Sequence, residues 1–157
     1  MRSSFVLAFV SIILSSSSLT LGGCGGSEPA TAYVQNAFMN APFTLVRVSY
    51  RGVTFDQPIT KGTQSSSQQV PAGAAPAYAL AATAWDPASG TPAPTPIVLA
   101  LKAPVEAIAG TTVPVVFSEP SHTGKCAGMP KADYDAIATT WFPGQVVQDY
   151  DTIQCPR

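Results

Sequence analysis

Two copies of one tripeptide, Asp133-Tyr134-Asp135 and Asp149-Tyr150-Asp151, hold a large share of the nine acidic residues in this 157-residue chain. Carboxylates are hard oxygen donors, so Asp133, Asp135, Asp149 and Asp151 form a candidate calcium site if the chain between the two copies folds back on itself. Two carboxylates flanking a sugar would instead serve glycoside hydrolysis. No D-x-D-x-D-G loop accompanies them, and the plainer expectation is acids that cap a helix and solvate a small module. His122 is the one histidine, set in the polar turn Ser121-His122-Thr123-Gly124. A Ser-His-Asp hydrolase needs an imidazole oriented by a carboxylate and a serine on a strained turn. No G-x-S-x-G, P-loop, dinucleotide glycine motif, H-E-x-x-H or C-x-x-C occurs. His122, Cys126 and Met129 could bind copper as soft ligands, but the set is one histidine short and runs in reverse order to blue-copper sites. Trp85, Trp141, Phe142, Tyr134 and Tyr150 are candidates for a carbohydrate or peptide platform. A domain of this size needs most of its aromatics inside, so Tyr134 and Trp141 are the two expected to be partly exposed.

The background is poor in charge. Charged residues make up 11% of the chain and the formal net charge is -1, against about 25% charged residues in an average domain. The basic residues are scattered singly, so there is no electrostatic footprint for nucleic acid. A hydrophobic content of 46% argues against wholesale disorder, and the length allows one domain.

Met1-Arg2-Ser3-Ser4 is a short basic start, and Phe5 to Leu14 is apolar except for Ser11. That run has the form of a secretory signal and is too short for a stable spanning anchor. Leu21-Gly22-Gly23-Cys24 follows and resembles the lipobox of bacterial lipoproteins, with Leu three residues before Cys and small residues between. The resemblance implies a signal peptide over residues 1–23, diacylglycerol on the Cys24 sulfur and an acyl group, such as palmitate, on its freed amine. Two or three acyl chains at about 0.8 kcal/mol per buried CH₂ hold a protein on a membrane where one chain does not. Residues 24–31 then comprise the lipidated Cys24 and a flexible tether, whose seven residues after Cys24 reach about 15 Å as a random coil. Gly25, rather than Asp, after the acylated Cys implies the outer membrane over the inner by the sorting habit of enterobacterial lipoproteins.

With Cys24 assigned to lipid, Cys126 and Cys155 remain in an exported chain, where pairing is the default. The bridge closes a segment of about 29 residues, for which chain entropy gives roughly 3 to 4 kcal/mol of stabilisation.

Short extended segments must position these groups. Phe43 to Tyr50 alternates, Val53 to Ile59 is a weaker strand, and Ile97 to Lys102 and Thr111 to Ser118 are clear ones. Pro114 puts the last at an edge or a bulge. In Ala77 to Trp85 the alanines favour helix while the alternation fits a strand. Strand neighbours and the lack of a helix C-cap before Asp86-Pro87 select the strand. Asp86 to Pro96 is a Pro-rich loop, Lys131 to Thr140 a helix with Pro130 as its first residue, and Val146 to Ile153 a late strand.

The expected fold is mainly β: residues 32–157 form a single antiparallel β-sandwich whose disulfide-closed segment, 119–157, contains one short helix. Val70-Pro71-Ala72-Gly73 before Tyr78, and Ala109-Gly110-Thr111-Thr112-Val113, resemble the small immunoglobulin-like or carboxypeptidase-regulatory-type sandwiches of exported bacterial proteins. The Cys…Trp…Cys spacing of antibody domains is absent, so no contacts carry over. These features point to a lipid-anchored, non-enzymatic binding or assembly module of the cell envelope with a protein or glycan partner. The alternative is a small envelope hydrolase or calcium-dependent protein that uses the aspartates between Cys126 and Cys155.

Overall fold

Alternation along Ala30-Thr31-Ala32-Tyr33-Val34-Gln35-Asn36 sends Ala30, Ala32, Val34 and Asn36 into the interior and leaves the residues between them half-buried. In the computed structural model, which describes residues 28–83, 85–86, 91–92 and 95–155, this segment is the first strand. The signal segment 1–23, Cys24, the tether up to Ser27, and Pro87 and Pro94 of the Pro-rich loop lie outside the described residues. The elements in chain order are β1 (Ala30–Asn36), β2 (Thr44–Tyr50), β3 (Val53–Phe55), β4 (Gln68–Val70), β5 (Gly73–Ala75), β6 (Ala77–Ala82), β7 (Trp85–Asp86), β8 (Thr91–Pro92), β9 (Ile97–Leu101), β10 (Val105–Ala107), β11 (Thr112–Phe117), β12 (His122–Thr123) and α1 (Lys131–Trp141). Short 3-10 turns at Lys125–Ala127 and Tyr150–Thr152 flank the helix.

The strands make a three-stranded sheet ordered β11-β1-β4 and a five-stranded sheet ordered β12-β9-β6-β2-β3, with β5–β10 and β7–β8 as two-stranded ribbons. The two larger sheets face each other across one core. Ala32, Val34, Val115 and Phe117 come from one side, and Leu45, Val48, Ala79 and Leu99 from the other. The five-stranded sheet is covered on its second face too, where Leu80, Val98 and Ala100 meet Met129, Tyr134, Phe142 and Ile153 of the helix and the C-terminal segment. Period-2 geometry divides β6 and β9 between these two cores.

Three sequence expectations are corrected. The sandwich was expected to be wholly antiparallel, but β1 pairs β11 in parallel from Thr31↔Thr112 to Asn36↔Phe117. A parallel pair needs only a long crossover, and β2 to β10 all lie between these two strands. Pro114 does lie on an edge strand, opposite Tyr33. Val146 to Ile153 is not a strand. The Asp149 carboxylate accepts the Asp151 N–H at 2.9 Å and the Thr152 hydroxyl donates to Asp149 O at 2.8 Å, a local pattern that competes with a ladder and closes a 3-10 turn. The Val53 strand ends at Phe55, and Ile59 returns only as an isolated bridge to Leu45. In smaller differences, Pro130 is the N-cap of α1 rather than its first residue, and β1 begins at Ala30, inside the segment assigned to the tether.

The loop from β1 to β2 is held by one carboxylate. Glu119 Oε1 accepts the backbone N–H groups of Met39 (2.8 Å), Asn40 (2.6 Å) and Ala41 (3.1 Å), while the Lys61 ammonium donates to Met39 O. The N–H of Asn40 foremost, then those of Glu119 itself, Ala41 and Met39, hold the Glu119 carboxyl down from 4.5 to about 2. A depressed carboxylate stabilises the fold fully above its unfolded value, and that stabilisation fades as pH falls from 4.5 toward about 2. In thermal melts between pH 2 and pH 6, Glu119→Gln is therefore expected to be less stable than wild type at pH 6 and to show a shallower acid slope. Parallel curves would remove Glu119 from the acid response.

Candidate functional site

Asp133, Ala136, Ile137, Thr140 and Trp141 are spaced i, i+3, i+4, i+7 and i+8 along α1, which places them on one stripe of the helix. That stripe is one wall of a groove of about 480 Å³. Tyr78 of β6 and Ala100 of β9, register partners in the five-stranded sheet, also line it, as do Thr123 and Ala127. Pro130 starts the helix in extended geometry, and Gly144, at φ 76°, turns the chain away just beyond Trp141. The indole of Trp141 stacks on the Tyr78 ring with centroids 4.7 Å apart and planes 29° off parallel. Trp141 is nevertheless 38% exposed. The Tyr78 contact holds the ring in place, as a rigid recognition surface requires.

The expected exposure of Trp141 is met and that of Tyr134 is not. Tyr134 is 1% exposed, its hydroxyl donates to Gln148 O at 2.8 Å and accepts the Val98 N–H at 3.3 Å, and Tyr150 packs edge-on against its ring at 5.4 Å. Burial pushes its hydroxyl above the ordinary tyrosine value. It joins the helix layer to the sheet and presents no surface to a ligand. Tyr78 is the groove residue that sequence reasoning missed as a site partner. Its signal was the alternation that puts it on the same face of β6 as Leu80.

The four aspartates do not come together. Asp133 alone lines the groove. Asp135 and Asp151 flank the Lys131 ammonium at 3.5 and 3.6 Å, and Asp149 caps the 3-10 turn. Among the described residues no three His, Cys, Asp or Glu side chains converge as a metal site would require. The Lys131 ammonium takes the place between carboxylates where a cation would have to sit.

His122 Nδ1 lies 2.6 Å from Ser118 O and its ring packs edge-on against Phe38 at 4.9 Å. Its neighbour Ser121 is tied into the turn, with its hydroxyl bonded to the Ser118 N–H and to Val116 O. Neither geometry forms a nucleophile and base pair. Cys126 is bonded to Cys155, with the Cα atoms 5.1 Å apart, and Met129 is packed in the helix core, so the copper set is dispersed. No protein-family model, curated protein or solved structure matches this chain.

Proposed function

We propose that the chain is a lipid-anchored, non-enzymatic binding module of the cell envelope, built as an immunoglobulin-like sandwich and held at the membrane through Cys24. The lipobox residues Leu21-Gly22-Gly23-Cys24 support the anchor, and Gly25 after the acylated Cys favours the outer membrane. No helix among the described residues is long and apolar enough to cross a membrane. Two facing sheets with a parallel pairing of the first strand to a late one support the sandwich class. The partly exposed Trp141, stacked on Tyr78 above the groove, is the observation that carries the binding function.

The occupant that fits this groove is a glycan. A sugar ring lays its apolar face on an aromatic plane and offers hydroxyls to the carboxylate of Asp133 and to Thr123 and Thr140, the polar side chains that line the groove. In co-sedimentation with insoluble cell-wall glycan, soluble Cys24→Ala protein is expected to pellet, and the same protein with Trp141→Ala to bind about tenfold more weakly, the effect of losing one aromatic anchor. Equal retention of the two proteins would remove the groove from binding. Retention that disappears after protease treatment of the glycan would point to a protein partner instead.

A further inference from the structure

Ile108 is an isoleucine 58% exposed at the tip of the turn between β10 and β11, followed by exposed Ala109 and Gly110. That turn is fastened to the start of the described chain. The Gly110 N–H donates to Pro29 O at 3.1 Å and the Thr31 N–H to Thr111 O at 2.8 Å. The Glu28 carboxylate sits so close that a Cβ on Gly110 would lie 3.3 Å from its Oε2. A second turn shares this end of the fold, because Ala30 pairs with Val70 and Ala107 with Gly73. Arg51 secures it by donating to Pro71 O at 3.0 Å, to Ala72 O at 2.5 Å and to Ala74 O at 3.4 Å. The exposed residues Pro29, Pro71, Ile108 and Ala109 make this end apolar, with Glu28 and Arg51 as charges of opposite sign beside them.

We infer that the Ile108–Thr111 turn is the membrane-facing tip of the domain and that Ile108 enters the lipid surface holding the acyl chains of Cys24. This rests on the lipidation proposed above. Four residue steps separate Cys24 from Glu28 and can span no more than about 14 Å. An apolar side chain at an interface sits about 5 to 10 Å into the headgroup and acyl boundary, so a tip beside Glu28 is within reach of it. β1 leads away from this end for about 20 Å at a strand's rise per residue. The loop after β1 carries Met39, 75% exposed, at the opposite end, where it is held off the membrane.

The test uses the full-length lipidated protein in vesicles of phosphatidylethanolamine and phosphatidylglycerol, with Ile108→Cys or Met39→Cys carrying a nitrobenzoxadiazole label. Doxyl-labelled lipids are expected to quench the label at 108 at least about threefold more than the label at 39, as a side chain at interfacial depth requires. Equal quenching at the two positions in vesicle-bound protein overturns the inference while leaving the anchor standing. So does a label at 108 that is shielded from water but not quenched by lipid, which reports a protein contact. If the lipidated preparation floats with vesicles no better than Cys24→Ala protein, the anchor fails and the inference falls with it.

Discussion

A chain carrying Cys126→Ser and Cys155→Ser together is expected to be about 3 to 4 kcal/mol less stable than the oxidised protein, the chain-entropy value for a loop of this length. The bridge spans 29 positions and joins the 3-10 turn before α1 to the segment that follows Ile153. Everything between the two cysteines forms the layer over the second face of the five-stranded sheet, where Tyr134, Phe142 and Ile153 cover Leu80 and Val98. Without the bridge, that layer is closed by the Lys125 ammonium on Asp151 O and Ile153 O, at 3.2 and 3.0 Å, and by the Tyr150 hydroxyl on Met129 O at 2.6 Å. Bonds of that kind contribute about 1 kcal/mol each, and the lysine contacts are largely exposed. Urea denaturation of the oxidised protein and the double variant measures the difference. Amide exchange should also accelerate over residues 131–142 more than in β2, because the helix layer opens first. A loss below about 1 kcal/mol, or uniform exchange, would mean that packing alone holds the layer.

Thr111 to Ser118 was clear in the sequence because β11 turns one face to the core and the other toward the surface. It also carries the proline of an edge strand. β1 alternates buried and half-buried residues without a break, yet it is not among the strands read from the sequence, and its first residues fall in the segment assigned to the tether. Ala77–Ala82 was ambiguous for a physical reason. Ala77, Ala79 and Ala81 pack against the other sheet while Leu80 packs under the helix, and a strand covered on both faces has no polar positions to reveal its period. The parallel pairing of β1 with β11 left no local signal, since it joins segments about 80 residues apart and registers only through the shared core. The segment after Val146 misled because its apolar spacing resembles a strand, whereas the Asp149 cap decides its geometry.

The site divides in the same way. Tyr134 and Trp141 are seven residues apart on one helix, so helical geometry points them in nearly the same direction and the sequence treats them alike. The returning chain separates them. Gln148 and Tyr150 lie against Tyr134, while Trp141, a further two turns along, rests on Tyr78 at the edge of the groove. Only the tertiary path of residues 143–153 makes one aromatic structural and leaves the other available. The repeated Asp-Tyr-Asp tripeptide likewise looked like one cluster, until Lys131 proved to stand between Asp135 and Asp151.

Tyr134→Ala is expected to destabilise the protein by about 3 to 5 kcal/mol, the usual cost of emptying an aromatic site in a core. Tyr134→Phe is expected to cost about 1 to 3 kcal/mol, because it keeps the ring and removes only the hydroxyl. β12 covers β9 only at Ala100 and Leu101, so the Val98 N–H has no strand beside it. The Tyr134 hydroxyl accepts that N–H and donates to Gln148 O, and the Gln148 N–H in turn donates to Pro96 O at 2.8 Å. The C-terminal segment thus closes an open sheet edge through one phenol, and an uncovered edge invites pairing with other chains. Tyr134→Phe leaves a buried backbone donor unpaired and a carbonyl short of a partner. The loss is expected to appear as a lower urea midpoint with an unchanged slope, together with faster exchange at Val98. A midpoint within the range of an ordinary surface substitution, about 0.5 kcal/mol, would mean that water replaces the hydroxyl and that the edge is not closed by Tyr134.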